Sequence, residues 1–384
     1  MSERKATIVG VHNTRQARRL EGETSRSLIV ESTKAALADA GLTLADVDGI
    51  SAGQEGSSLI YDFQLGPAWM GMQFGLAMVL EAAAAIEAGQ AEVVLLVTAE
   101  AGVYTDRGST APWTRPGHEF VIPWGLFTAA EFALVARRHM HLYGTTPEQL
   151  AKVSATIRNN GHANPEAVYY GRGPFTPQDI LDSRMVADPF HLLDCSTATE
   201  GGCALVMTTA ERARDLPKKP VALLSGGTQY YGPAYRYPPK WDLAGKSGAH
   251  ENGLIGRRSA SRAFETAGIT RDDVDVLELY DPFSFEIIRQ LEAFGFCGPG
   301  EGGDFVDDGH IEINGSHPVT TDGGTMSYSH AGATVQMLQR VIRGVQQLRG
   351  ECVSGQVPDA KVALCSNAGA GALFHMVALL GAVD

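Results

Sequence analysis

Positive charge is what this chain of 384 residues is short of: 31 lysines and arginines stand against 44 aspartates and glutamates, a formal net charge of −13. Gripping nucleic acid requires basic side chains that neutralise phosphates, so nucleic acid is excluded as a partner. A phosphorylated small ligand remains open, because it needs only a local basic patch or a helix N-terminus. Cysteine is also scarce. Cys195, Cys203, Cys297, Cys352 and Cys365 form no C-x-x-C or Cys/His spacing of a zinc site, and their odd number suits free thiols in a reducing compartment. Long apolar runs are missing too. The N-terminal MSERKATIVG has no apolar core of signal-peptide length, and GLAMVLEAAAAIEAG is too short for a membrane span and carries Glu81 and Glu87. A cytoplasmic protein without a membrane span is expected.

Several catalytic signatures are missing as well. No GxSxG occurs, so a Ser hydrolase lacks its nucleophile turn. Cys195 in LLDCSTATEGG is the best candidate for a Cys nucleophile, although cysteine is so commonly buried that a structural role is preferred. SNAGAGALF follows a strand as a dinucleotide loop would, yet Phe374 stands where the third glycine is expected. His139 and His141 in RRHMHLYG are two apart on a helix and do not share a face, so they are read as helical surface and no metal site is expected.

What is present is an alternation of strands and helices. KATIVGV, AEVVLLVTAE, KPVALLSGG, DVDVLELYD and KVALCSN read as strands; SRSLIVESTKAALADAG, GLAMVLEAAAAIEAG and GATVQMLQRVIRGVQQLRG read as helices. This is an α/β chain. AGLTLADVDGI, residues 40–50, aligns without a gap with AGITRDDVDVL, residues 267–277, each copy preceded by a helix and followed by a strand. GQAEVVLLVTAEAG and PDAKVALCSNAGAG form a weaker second echo in the same order. We therefore expect a duplicated α/β half: residues 1–216 with a loop insertion at about 104–190, and residues 217–384. Two stretches fall outside the repeat, the long irregular AGVYTDRGSTAPWTRPGHEFVIPWGLF and the aromatic QYYGPAYRYPPKW. The second, which includes Tyr231, reads equally as the wall of an apolar ligand pocket or as a rigid surface loop. Ligands of open α/β sheets gather at the carboxyl ends of strands, and there the chain places Tyr280 and Asp281, Tyr328 and His330, and Asn367 with Gly369.

Taken together, AALADAGLTLADVDGI, NNGHANPEA, DPFHLLDCSTATEGGCALV, ELYDPFSF and PVTTDGGTMSYSHAGA resemble the thiolase superfamily over nearly the whole length. Within it they are most similar to the lipid-transfer-protein branch related to the sterol carrier protein thiolases. The resemblance implies a duplicated thiolase fold with five layers, α-β-α-β-α. It also exposes departures from a working thiolase. Met72 occupies the place of the nucleophilic Cys and cannot form a thioester, Ser366 and Asn367 stand near the place of the second Cys, and Tyr280 replaces the Asn or His of the NEAF or HDxF motif. The family histidine is retained as His330, with SHAG in place of GHP.

Without a nucleophile, what remains is machinery for a thioester enolate. A subgroup of this branch, the steroid side-chain aldolases, resembles the sequence in its LYD and in a Tyr shortly before the His of the glycine-rich loop. The resemblance thus implies retro-aldol cleavage of a β-hydroxyacyl-CoA with a tertiary hydroxyl, giving a ketone and a shorter acyl-CoA such as propionyl-CoA or acetyl-CoA. Tyr280 or Tyr328 would take the hydroxyl proton, the other would donate to the product oxygen, and His330 would orient one of them or bind the thioester oxygen. Met72 would line the old nucleophile pocket or merely pack its helix, with Tyr231, Asn367 and Gly369 as further substrate contacts. Asp281 is read as a structural partner for backbone N–H groups. No cofactor is implied beyond the CoA of the substrate. A homodimer formed through residues 60–100 is implied, completed to a heterotetramer by a small DUF35 protein with zinc-ribbon and OB-type domains that would carry any zinc. Two alternatives stay open: a Claisen-type acyltransferase using Cys195 or Cys365, and a non-catalytic subunit that binds acyl-CoA or sterol.

Overall fold

The structure is a computed structural model that describes residues 4–102, 127–230, 255–369 and 374–383. Nine of its strands form one mixed sheet. The first half contributes β1 (Ala6–Asn13), β2 (Gly49–Ser51), β3 (Trp69–Gly71), β4 (Val93–Glu100) and β5 (Gly201–Thr209). From the second half come β6 (Val221–Tyr230), β7 (Val276–Glu278), β8 (Val362–Gly369) and β9 (Phe374–Ala382). Their order is β3-β2-β4-β5-β1-β6-β9-β8-β7, so the same winding runs outward twice from the centre. Where the first half pairs β2 with β3, the second has a parallel bridge from Leu277 to Val319. Within the sheet, the halves pair through Thr7 with Ala222 and Ile8 with Val221.

The main helices are α1 (Ser25–Ala40), α2 (Leu76–Glu87), α3 (Thr128–Tyr143), α4 (Pro147–Ala163), α5 (Arg257–Ala267), α6 (Ser284–Phe294) and α7 (Gly332–Arg349). Alternation along the strands sorts them into layers. In β4, Val93, Leu95 and Val97 pack with α1, while Val94 and Leu96 turn to the centre. In β8, Ala363 and Cys365 face the centre and Leu364 the cluster formed with α5 and α6. α2 and α7 fill the middle. A helix covered by sheet on two sides must be apolar or small nearly all round, and Leu76, Ala77, Val79, Ala82, Ala83 and Ile86 make α2 so. The layers run α-β-α-β-α, as the resemblance implied.

The internal repeat has a local physical cause. Each copy is a helix stopped by a left-handed glycine, Gly41 at φ 70° or Gly268 at φ 69°, then a turn boxed by Thr43 with Asp46 or Thr270 with Asp273. The last aspartate of each copy then ties down the start of the neighbouring strand. Asp48 accepts from the N–H groups of Glu92 (2.9 Å) and Val93 (2.8 Å), and Asp275 from those of Lys361 (2.7 Å) and Val362 (2.9 Å). The two echoes in the sequence are therefore the two sides of one contact.

Two features differ from the sequence reading. β5 and β9 are buried along nearly their whole length and show no alternation, so period alone does not reveal them. The surface position expected of both histidines holds for His141 alone. His139 is a core residue, its ring between the Glu292 carboxylate (2.9 Å) and the Thr145 hydroxyl (3.0 Å).

Candidate active site

The loops at the ends of β7 and β8 and the glycine-rich loop are joined through specific hydrogen bonds. Asp281 accepts from the N–H groups of Thr325 (2.7 Å) and Met326 (3.0 Å), and its carbonyl accepts from the Thr325 hydroxyl (2.7 Å). It is the structural partner expected, latching the glycine-rich loop to ELYDPFSF. Burial pushes its carboxyl up to about 7, against the pull of Arg340 and the two amides. Next to it, the Tyr280 N–H donates to Ser366 Oγ (3.1 Å), which brings in the end of β8. The extended segment from Cys195 to Thr199 runs along all of this: Ser196 N–H donates to Pro282 O (2.9 Å), Thr197 N–H to Thr325 O (3.2 Å), and His330 N–H to Thr199 Oγ1 (2.9 Å).

The glycine-rich loop closes into a π-helical turn, Gly324–Tyr328, a geometry common at functional sites. Gly323 enters it at φ 106°, and a Cβ there would strike the backbone of Gly161 on α4. Helix and loop can touch only because both positions are glycine. On the same helix Arg158, fully buried, donates to the carbonyls of Leu193 (2.7 Å), Met326 (3.0 Å) and Cys195 (2.9 Å), clamping the segments together.

The side chains in this frame have distinct electrostatics. Tyr280 and Tyr328 are buried, and desolvation raises the pKa of both; Glu286 and Asp281 add to it for Tyr280, Asp322 and Glu166 for Tyr328. Both keep their protons at neutral pH. His330 is half-buried with protein around most of its ring, and desolvation pulls its pKa down to about 4, so it is neutral. Asn367 is fully buried beside the backbone of Gly75, and neither Oδ1 nor Nδ2 has a hydrogen-bond partner among the described residues. A buried amide in that state costs free energy unless a ligand or water satisfies it. Gly369 ends β8 opposite Phe374, and Tyr231 lies outside the described residues, as do residues 232–241 of its aromatic stretch.

Met72 is not packed into its helix. It is 62% exposed, its N–H donates to the Glu81 carboxylate (3.0 Å), and it lines an open cleft of about 810 Å³ with Arg26, Phe74 and Glu100. Glu100 packs against Gly332, two residues beyond His330, and Phe74 stands edge-on to Phe374 at 5.2 Å. The thiols offer no replacement nucleophile. Burial pushes Cys195 up to about 12 and raises Cys365, which is fully buried.

Comparison with known proteins places this arrangement. A thiolase C-terminal domain-like family matches residues 254–382. The chain is 35% identical over 376 residues to the 17-hydroxy-3-oxo-4-pregnene-20-carboxyl-CoA lyase of Mycobacterium tuberculosis, covering 91% of this chain and 93% of the relative. The chain belongs to the thiolase superfamily. Within it, the chain is a carbon–carbon lyase of the aldolase branch. It is 34% identical over 364 residues to the steroid side-chain-cleaving aldolase of Thermomonospora curvata, covering 88% of this chain and 90% of that one. A solved Ltp2-ChsH2(DUF35) aldolase superposes with a TM-score of 0.84 at 29% identity, covering 100% of this chain and 99% of that chain.

The loops of this aldolase rest on a buried charge cluster that no motif announced. Arg340, on α7 and fully buried, donates to both oxygens of Asp322 (2.8 and 2.7 Å) and to Glu278 (3.3 Å). Asp322 in turn accepts from the Gly324 N–H (2.8 Å), and its carbonyl from Asn164 Nδ2 (3.1 Å). The signal in the sequence was a polar stripe, Gln336, Arg340, Arg343 and Gln347, along a helix whose other positions are largely apolar.

Proposed function

We propose that this aldolase cleaves a β-hydroxyacyl-CoA of the steroid side-chain class, with a tertiary hydroxyl, into a ketone and a shorter acyl-CoA such as propionyl-CoA or acetyl-CoA. The observation that carries this is Met72 in the nucleophile position together with the buried, protonated state of Cys195 and Cys365. Acyl transfer then has neither of these thiols free to carry the acyl chain. In the reaction the β-hydroxyl loses its proton, the carbon–carbon bond breaks toward the α-carbon, and negative charge gathers on the thioester oxygen. Tyr280 and Tyr328, held protonated by burial, suit the donor role at the oxygens where charge changes. Neutral His330 and the unsatisfied Asn367 are the further polar contacts for the thioester. No cofactor is called for beyond the CoA of the substrate.

The assembly we infer is a homodimer joined by a small DUF35 protein into a heterotetramer, placed in the cytoplasm, with any zinc on the partner. Supporting this, β3 is an edge strand of the sheet, and Tyr61 and Met72 beside it are 84% and 62% exposed. No helix among the described residues is long and apolar enough to cross a membrane. The test is incubation with a panel of tertiary β-hydroxyacyl-CoAs, with and without the DUF35 protein, followed by mass spectrometry. Ketone and shortened acyl-CoA are expected; an acyl-enzyme adduct without ketone would refute the reading.

A further inference from the structure

Asp281, Arg158 and the Val168 N–H reach the glycine-rich loop at Thr325, Met326 and Tyr328. The next two residues, Ser329 and His330, are held by a different set. The His330 N–H donates to Thr199 Oγ1 (2.9 Å), and the Thr199 N–H donates back to His330 O (3.3 Å). Thr199 Oγ1 in turn meets Ser329 Oγ at 2.9 Å, and the Ser329 hydroxyl donates to Gln16 Oε1 (2.8 Å). Gln16, Thr199 and Ser329 are all buried. Gln16 comes from the segment after β1, 313 residues away from Ser329 in the chain.

The direction of every proton in this chain of bonds is fixed by its far end. Gln16 Nε2 donates to the carbonyls of Thr14 (2.7 Å) and Gly202 (3.3 Å). Turning the amide over would set its oxygen against both carbonyls, so Oε1 faces Ser329 as an acceptor. Ser329 spends its single proton there and can only accept from Thr199. The Thr199 proton is then spent as well, which leaves its oxygen to accept from the His330 N–H. A buried chain in which every group is satisfied is rigid, and each bond polarises the next. Its origin is anchored separately: the Thr14 N–H donates to Gly202 O (3.0 Å), and Ala17 and Glu200 exchange two backbone bonds (3.1 and 2.7 Å). Gly201 leaves the room, since a Cβ there would strike the Gln16 amide. His330 needs such an anchor. Its ring nitrogens make no hydrogen bond among the described residues, so the direction of the ring follows from its backbone.

We propose that Gln16 is a positioning residue of the carbon–carbon cleavage: through Ser329 and Thr199 it fixes the backbone of His330, and with it the direction in which the ring meets the thioester. The inference rests on the retro-aldol reading and on His330 as a thioester contact within it. Gln16 touches no reacting atom. It acts by holding the two hydroxyls in one arrangement, so that the His330 N–H has a fixed acceptor and the ring is already aimed when substrate arrives. The first half of the chain thereby sets the geometry of a loop that belongs to the second.

The test uses the full chain with its DUF35 protein and the member of the tertiary β-hydroxyacyl-CoA panel that the wild type cleaves. Gln16→Leu should lower kcat about tenfold or more with little change in KM. Ser329→Ala, which deletes a single oxygen and spares the fold, should do the same. Thr199→Val keeps the shape and loses the hydroxyl, and Thr199→Ser should recover most of the rate that it loses. Gln16→Leu combined with Ser329→Ala should cost no more than the larger single loss, because both break the same chain of bonds. If the wild type cleaves while Gln16→Leu, Ser329→Ala and Thr199→Val all match its kcat, the positioning role falls and the retro-aldol reading stands. Losses that multiply in the double variant would refute the chain in the same way. If the wild type cleaves none of the panel, the retro-aldol reading falls and takes the role of Gln16 with it.

Discussion

Replacing Arg340 by methionine removes the side chain that donates directly to two buried carboxylates, Asp322 and Glu278. Asp322 loses two charge-assisted hydrogen bonds and Glu278 a longer one. Bonds of that kind contribute about 1.5–3 kcal/mol each, and breaking a buried pair by deleting one partner costs about 3–5 kcal/mol. With an unfolding entropy of about 2.1 cal/mol/K per residue, or roughly 0.8 kcal/mol/K for 384 residues, a loss of about 4 kcal/mol lowers Tm by about 5 °C. The deficit has a defined pH dependence. Without the cation, the folded-state pKa of Glu278, already raised by burial, rises further and that of Asp322 climbs from its lowered value, so the folded variant prefers them protonated. Its stability is then best preserved below about pH 4 and is lost progressively as pH rises toward neutrality. Calorimetry of wild type and variant across pH 4–8, on the same assembly at the same concentration, measures this. Activity should fall as well, because Asp322 orients the glycine-rich loop at Gly324. Equal melting temperatures at pH 7, or a deficit that does not shrink in acid, would refute the reasoning.

Two more outcomes follow from burial. The pKa of His330 is lowered to about 4, so its neutral form is favoured in the fold: that stability is complete above the unfolded value of 6.5 and is lost as pH falls from there toward 4. NMR titration should accordingly show no transition of the His330 ring near 6.5, and the rate should show no step there that His330→Asn removes. Iodoacetamide at pH 8 should leave cleavage intact, since burial holds Cys195 near 12 and shields Cys365; inactivation protected by acyl-CoA would instead revive an acyl-enzyme route.

What the sequence by itself determined was everything whose cause is local. Helix caps, the Thr–Asp boxes and strand alternation are interactions between residues a few positions apart, so AGLTLADVD and AGITRDDVD revealed the duplication before any coordinates did. The loss of the nucleophile at Met72 and the placing of Tyr280, Tyr328 and His330 at loop ends were legible for the same reason: each is a residue type at a position in one motif. Tertiary structure alone decided how those motifs are held. Asp281 meets Thr325 from 44 residues away, Ser366 meets Tyr280 from 86, and Arg158 reaches Met326 from 168. No periodicity records such pairings, because a buried charge or amide chooses its partner by proximity after the chain has folded and water has been removed. The fold put the Met72 side chain in an open cleft. It also set Tyr169 within about 5 Å of two guanidinium groups, those of Arg158 and Arg172, a position that nothing in AVYYGRGPF distinguishes from an ordinary aromatic loop.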